Sequence, residues 1–150
     1  MNNKAKRISK YAWVIVLSLI ICHLTFGISA CANQDTPPTA QAFIKKYFPH
    51  SSIVLVETDS DDEDTGYSVW LNDGSKIDFD LQGNWKRVAR KKSGVPAILI
   101  PQDITQYVKT NYPEEVIFKL SKKPYGYKIE LSNDMDLRFN SQCQFMEVVD

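Results

Sequence analysis

The feature that most constrains the fold is an internal match between the two halves of the chain. Residues 43–49 resemble residues 107–113 at an offset of 64, and residues 66–71 resemble residues 126–131 at an offset of 60. Because both halves carry the same order of apolar and polar segments, the sequence predicts two copies of one unit of about 55 residues. The four extra residues of the first copy fall in the polar stretch 58–65, where a loop absorbs them at little cost.

Each copy is predicted to fold as a helix followed by four antiparallel strands. In the first copy, apolar residues with helical spacing begin at Ala40 and end at Tyr47, and Pro49 ends the helix. Residues 72–74 (Asn-Asp-Gly) supply the positive-φ positions of a hairpin turn between two alternating strands. The predicted fold class is α+β, a tandem repeat of helix plus four antiparallel strands, with the helices packed on one face of the sheet. Since one copy alone buries too little surface to be stable, we expect the two copies to lie side by side in a continuous sheet.

Alternation along the predicted strands separates a core face from an open face of the sheet. Tyr67, Val69 and Leu71 share one side, which the helix must cover. The other side carries Trp70, and tryptophan contributes much of the binding energy at protein interfaces. The candidate partner-binding residues on this sheet face are therefore Trp70, Ile53, Leu55, Ser68, Lys76 and Asp78. The alternative is that a loop or the other copy covers Trp70 and makes the patch a second small core.

The amino-terminal residues have the three parts of an export signal. A basic segment precedes eighteen uncharged residues, 11–28, and small residues follow. Residues 28–31 (Ile-Ser-Ala-Cys) resemble a lipobox, which predicts lipidation of Cys31. Residues 30–32 alternatively fit ordinary signal cleavage after Ala32, which would give a secreted protein, and an uncleaved anchor is a third interpretation. All three predict that residues 33–150 lie outside the cytoplasm, in the periplasm or cell envelope.

These observations divide the chain into four predicted segments. Residues 1–31 are the signal peptide, interpreted as a lipoprotein signal, and residues 32–38 are a short tether. Residues 39–92 and 93–150 are the two copies.

Composition excludes most catalytic and nucleic-acid chemistry. Hydrophobic residues make up 43% of the chain and charged residues 24%, as in globular proteins. Without residues 1–31, fourteen basic residues face eighteen acidic ones, and this net charge of −4 argues against nucleic-acid binding. The same part holds one cysteine, Cys143, and one histidine, His50, so neither an internal disulfide nor an activated nucleophile is expected. We therefore predict that the protein is not an enzyme and has no catalytic residues, no cofactor and no metal site.

Two charged runs of the sequence are candidate sites. Residues 59–64 contain five carboxylates, but an EF-hand would need glycine at the sixth position and glutamate at the twelfth, where Asp64 and Trp70 stand. This run is predicted to be a solvated loop rather than a calcium site. The basic run 86–92 is interpreted as a hydrated linker, with contact to anionic lipid headgroups or to an acidic partner as the alternative.

The order of these motifs resembles the PepSY-like family of secreted bacterial proteins, which are also described as putative β-lactamase-inhibitor-like. The resemblance is carried by residues 47–49, 53–57 and 66–80 and by the linker 95–101, and it covers about residues 37–149. It implies a tandem repeat whose helices pack on one face of an antiparallel sheet and leave the other face available for partners. It implies no catalytic residues. Asp134 and Cys143 stand where the first copy has Gly74 and Gly83, so turns that are looser or different in type are expected in the second copy.

The predicted function is that of an exported, non-enzymatic protein-binding module that acts through the sheet face opposite the helices. Inhibition of an envelope hydrolase is one form of that role. The alternative is a periplasmic carrier of a small molecule or metal ion that uses the groove between the copies. The predicted partner is a protein or peptide, and contact with a membrane is expected only through the lipid anchor.

Overall fold

Eight strands and two α-helices form the part of the chain that the computed structural model describes, residues 36–58 and 66–149. The elements in chain order are α1 (Pro38–Tyr47), β1 (Ile53–Thr58), β2 (Tyr67–Leu71), β3 (Lys76–Phe79), β4 (Trp85–Ala89), a short 3-10 turn (Ala97–Leu99), α2 (Gln102–Asn111), β5 (Ile117–Lys123), β6 (Gly126–Leu131), β7 (Asp136–Asn140) and β8 (Phe145–Val149). The predicted signal peptide, Cys31 and the acidic run 59–64 lie outside the described residues.

Both helices are short and bury one narrow stripe. Helix α1 follows Pro37 and has proline in its first turn, where the missing amide donor leaves no intrahelical bond unmade. It buries Ala40 and Ile44, and α2 buries Ile104 and Val108. Since each helix has only ten residues, its stability depends on packing that stripe against the sheet.

The eight strands form one antiparallel sheet in which each strand pairs with the next along the chain. Strands β4 and β5 pair through Arg87, Val88 and Ala89, so the sheet continues across the middle of the chain without a break. The predicted fold class is therefore wrong: residues 36–58 and 66–149 form a single eight-stranded sheet with two helices, not a tandem repeat of helix plus four strands. The physical reason is that Val88 lies directly opposite Leu120 and both are fully buried, so one core extends through the predicted boundary.

A single row of apolar side chains crosses the sheet and forms the centre of this core. Successive pairings place the following residues side by side: Val56, Val69, Ile77, Val88, Leu120, Ile129, Leu137 and Val148. The six central members are fully buried. Phe43 of α1 contacts Phe79 with a ring-centroid distance of 5.7 Å, and Tyr107 of α2 contacts Phe139 at 5.4 Å. Both helices therefore cover the same face, which we call the inner face.

The turns of the carboxy-terminal half contradict one expectation. Asp134 and Cys143 adopt φ values of 64° and 61°, close to the left-handed conformations of Gly74 and Gly83. The turn hydrogen bonds also agree, since the amide of Leu131 donates to Met135 as the amide of Leu71 donates to Ser75, both at 2.9 Å. Turns that are looser or different in type are therefore not present in this half, because Asp134 and Cys143 adopt the left-handed conformation despite the energetic cost that it has for residues with a Cβ atom.

Ionisation of Tyr67, on the inner face, makes the free energy of unfolding depend on pH in the alkaline range. Burial, helped by the nearby Asp80 carboxylate, raises the pKa of Tyr67 to about 12. The folded protein therefore keeps the phenol proton to higher pH than the unfolded chain, and stability is lost as the pH rises from about 10 towards 12. In urea unfolding, we expect Tyr67→Phe to lose less stability than the unmodified protein between neutral and alkaline pH. Tyr125→Phe is the matched control, and an unchanged pH dependence in Tyr67→Phe would contradict the assignment.

Candidate functional site

The candidate site is the sheet face opposite the helices, which we call the outer face. Because strand residues alternate between faces, the neighbours of the buried row lie on this side. Strand pairing aligns them in two rows. The first outer row is Glu57, Ser68, Asp78, Arg87, Ser121, Lys128, Arg138 and Glu147. The second outer row is Leu55, Trp70, Lys76, Ala89, Lys119, Glu130, Asp136 and Val149.

One corner of the outer face presents an oriented tryptophan, and we call Leu55, Glu57, Trp70 and Lys76 the Trp70 corner. The Trp70 indole N–H donates to Glu57 Oε2 at 3.0 Å, and Lys76 Nζ lies 5.1 Å from the centroid of the Trp70 ring system. Leu55 lies directly opposite Trp70 on β1 and its side chain is exposed. Neither Trp70 nor Leu55 joins the hydrophobic core that residues 36–58 and 66–149 form. The corner thus combines an apolar contact surface with fixed polar neighbours.

Ile53 does not share this corner, although it was predicted to lie on the open face. It pairs with Leu71 and packs against the core on the inner side. The strand has an irregularity between Ile53 and Leu55, which leaves Val54 outside the regular pairing. Such a bulge shifts the alternation by one residue, so Ile53 and Val56 both lie on the core side. Ile53 is therefore removed from the candidate site.

Ser68 and Asp78 lie on the outer face, but they are buried beneath their neighbours. Ser68 Oγ donates to Asp78 Oδ1 at 2.8 Å, and Arg87 Nη1 lies 3.1 Å from Asp78 Oδ2. Lys76 Nζ approaches Asp78 Oδ1 to 3.6 Å. Asp78 therefore holds Lys76, which also contacts Trp70, and supports the Trp70 corner from below. Of the six predicted residues, Trp70, Leu55 and Lys76 remain as surface groups.

Further ion pairs extend across the outer face, and the sequence-based candidate set missed them. Lys119 forms a close pair with Glu130, which also lies 3.9 Å from Lys91. Two pairs at 2.7 Å follow on β6, β7 and β8: Lys128 with Asp136, and Arg138 with Glu147. The sequence contains a pattern that could have identified these residues. Polar residues alternate with apolar ones along β6 and β7, and this alternation places the polar residues on the same sheet face as Trp70.

The described residues offer little catalytic or metal-binding chemistry. In residues 36–58 and 66–149, no group of three or more His, Cys, Asp or Glu side chains could hold a metal ion. No helix within these ranges is long and apolar enough to span a membrane. Burial raises the pKa of the half-buried Cys143 thiol, with Asp103 adding to the effect, and this disfavours the reactive thiolate.

An apolar groove of about 180 Å³ lies beside α2. It is lined by Val95, Ile100, Thr105, Val108, Lys109, Glu115, Val116 and Ile117. All of these residues come from the segment between β4 and the start of β5. The groove therefore does not lie between the two halves of the chain, where the carrier hypothesis placed its ligand.

Comparison with known proteins identifies a matching family model and similar periplasmic proteins. The PepSY-like family model, described as putative beta-lactamase-inhibitor-like, matches residues 65–147. A putative calcium-regulated periplasmic protein of Bacteroides thetaiotaomicron is 34% identical, with a TM-score of 0.71 over 77% of this chain and 91% of the other. A putative periplasmic protein of unknown function from Bacteroides vulgatus is 29% identical, with a TM-score of 0.72 over 77% and 93% of the two chains. Among curated proteins, none matches this chain. The solved neighbours support a periplasmic location.

Proposed function

Because this chain belongs to the PepSY-like family and its solved neighbours are putative periplasmic proteins, we propose that it is an exported, non-enzymatic module that binds a protein or peptide partner on the outer face of its sheet. The observation that carries the proposal is the Trp70 corner. There Trp70 and the exposed Leu55 lie side by side on the outer face, and both helices pack on the opposite face.

Fixed orientation makes the Trp70 corner suitable for binding. Glu57 accepts a hydrogen bond from the indole N–H, Lys76 Nζ lies over the Trp70 ring, and Asp78 pairs with Lys76 in turn. A side chain that is already ordered loses little conformational entropy when a partner covers it. Inhibition of an envelope hydrolase is the form of binding that the family description favours.

Export and lipidation at Cys31 complete the proposal. Residues 28–31 match the lipobox pattern, and the periplasmic neighbours fit a protein that crosses the inner membrane. The lipid would tether the sheet to a membrane through the segment that precedes α1.

Trp70→Ala tests the proposed function. We expect capture of an envelope partner to fall at least about tenfold, because tryptophans dominate interface energies, while the free energy of unfolding changes by less than about 1 kcal/mol. The measurement compares affinity capture from envelope extract with urea unfolding of the same variant. Ile98→Ala is the matched control, since Ile98 is an exposed apolar residue in the turn before α2 and should leave capture unchanged. Undiminished capture by Trp70→Ala, or a large loss of its stability, would contradict the proposal.

A calcium-dependent role is the second candidate, and it differs from the carrier hypothesis, which places a ligand in the groove between the copies. It is favoured by one observation, the description of the relative from Bacteroides thetaiotaomicron as calcium-regulated. The acidic run 59–64 lies outside the described residues, so its geometry adds no support. A calorimetric titration with CaCl2 that gives no heat would eliminate this candidate.

A further inference from the structure

The outer rows carry their opposite charges at two different depths. The carboxylate side chains of Asp78, Glu130 and Asp136 are 2%, 14% and 26% exposed. The lysine that lies nearest to each carboxylate is more exposed than that carboxylate: Lys76 is 29% and Lys119 is 37% exposed, and Lys128, at 31%, exceeds Asp136 by a small margin. Exposed carboxylates occur at the two edge strands, with Glu57 on β1 and Glu147 on β8. Over the central strands, the cationic side chains are therefore more exposed to solvent than the carboxylates with which they pair. We call these three lysines the cationic layer.

This arrangement keeps hydrogen-bonding capacity for a partner. A lysine ammonium has three donors, so the carboxylate that pairs with Lys76, Lys119 or Lys128 leaves donors that can turn outward. A negative group arriving from solvent comes closer to the nitrogens than to the oxygens below. Because Coulomb energy falls with distance, its attraction to the cationic layer exceeds its repulsion by the buried carboxylates.

We infer that the partner of the outer face presents an acidic segment, whose clustered Asp or Glu side chains contact the cationic layer. This inference rests on the proposed function, because it assigns the chemistry of the partner that docks on the same face. Lys76 belongs both to the Trp70 corner and to the cationic layer. The matching partner therefore combines an apolar side chain, for Trp70 and Leu55, with carboxylates that follow it across the sheet.

Charge balance favours a protein segment over an anionic membrane surface. Counting both outer rows together with Lys91, six cations face five carboxylates, so the net charge of the outer face is only +1. Adsorption to anionic lipid depends on the number of uncompensated cations near the surface. Directed contacts to individual carboxylates do not need that excess, and they exploit the depth difference within each pair.

A labelled synthetic peptide of alternating Glu and Leu residues tests the inference by fluorescence anisotropy at low salt. The full-length protein in nonionic detergent is expected to bind this peptide but not a peptide of alternating Lys and Leu. Lys119→Gln/Lys128→Gln should weaken binding roughly fivefold or more, since two exposed charge contacts are lost. Lys45→Gln/Lys46→Gln on α1 removes the same charge from exposed lysines elsewhere and should leave binding unchanged.

Three results would overturn the inference. They are no binding of the acidic peptide, an equal loss in both double variants, and binding to phosphatidylglycerol vesicles that the acidic peptide cannot displace. If the Lys119→Gln/Lys128→Gln protein does not fold, the two single variants replace it, because each leaves the other ion pair intact.

Capture from envelope extract separates this inference from the proposed function. Loss of capture in Trp70→Ala, but not in Lys119→Gln/Lys128→Gln, would show docking of a partner that is not acidic and would overturn the inference alone. Undiminished capture in both variants would overturn the inference and the proposed function together. Reduced capture in both would support both.

Discussion

Leu120→Ala is expected to destabilise the protein by about 3 kcal/mol and to do so in one transition that involves the whole sheet. Leu120 is fully buried on β5, and it lies opposite Val88 of β4 and Ile129 of β6. Truncation leaves a cavity at the point where the two halves of the sheet meet. Because one apolar row crosses that point, strands on both sides lose their packing together.

Urea unfolding with two probes tests whether the core is shared. Fluorescence of Trp70 and Trp85 reports on β2 and β4, and amide hydrogen exchange reports on β7. We expect both probes to shift by the same amount in Leu120→Ala. Leu81→Ala is the control, because Leu81 is highly exposed and its truncation should change stability by less than about 0.5 kcal/mol. Retained protection of β7 amides after the tryptophan signal is lost would indicate two independent cores and contradict the single-sheet account.

Asp78→Ala is expected to lower the free energy of unfolding by about 2–3 kcal/mol, a large effect for a residue on the uncovered face of a sheet. The carboxylate is almost completely buried and accepts a hydrogen bond from Ser68, while Arg87 and Lys76 neutralise it. Its removal leaves the Ser68 hydroxyl without this acceptor and two cations without their shared counter-charge. The effect falls below that of a fully buried ion pair because both cations are partly exposed to water.

Glu147→Ala is the matched control for Asp78→Ala. Glu147 also pairs with an arginine, Arg138, but its carboxylate is more than half exposed at the sheet edge. Exposed ion pairs contribute little, so the control should lose less than about 1 kcal/mol in urea unfolding. Equal losses in the two variants would show that Asp78 is a surface charge rather than the support of the Trp70 corner.

Asp78→Ala should also weaken partner capture, since Lys76 loses one of its two fixed contacts.

Local pattern made several features of the fold predictable. The alternation of Tyr67, Val69 and Leu71 identified residues that the structure buries, and the PepSY-like family itself is confirmed over residues 65–147. The fold class was wrong because similarity between two halves records local pattern only. The continuous sheet was expected, but similarity between the halves does not show that each half is a separate unit. The pairing of β4 with β5 depends on Val88 meeting Leu120, a contact between residues more than thirty positions apart.

The candidate site was less predictable, for two physical reasons. Residues 53–56 are all apolar, so no polar residue marks the bulge that moves Ile53 to the inner face. The depth of Asp78 depends on Arg87, which reaches it from the neighbouring strand, and alternation gives the face of a residue but not its burial. The cationic layer is a consequence of the same cross-strand contacts, so only the structure shows it.

Site-specific photo-crosslinking tests docking on the outer face most directly. A photoreactive phenylalanine analogue is placed at Leu55, in the Trp70 corner, or at Ile98, which is even more exposed, and the full-length protein is irradiated in intact cells. Our account predicts that one envelope protein crosslinks to position 55 but not to position 98, and that Trp70→Ala removes the product. Crosslinks that form at position 98 but not at position 55 would place the partner elsewhere and contradict the account.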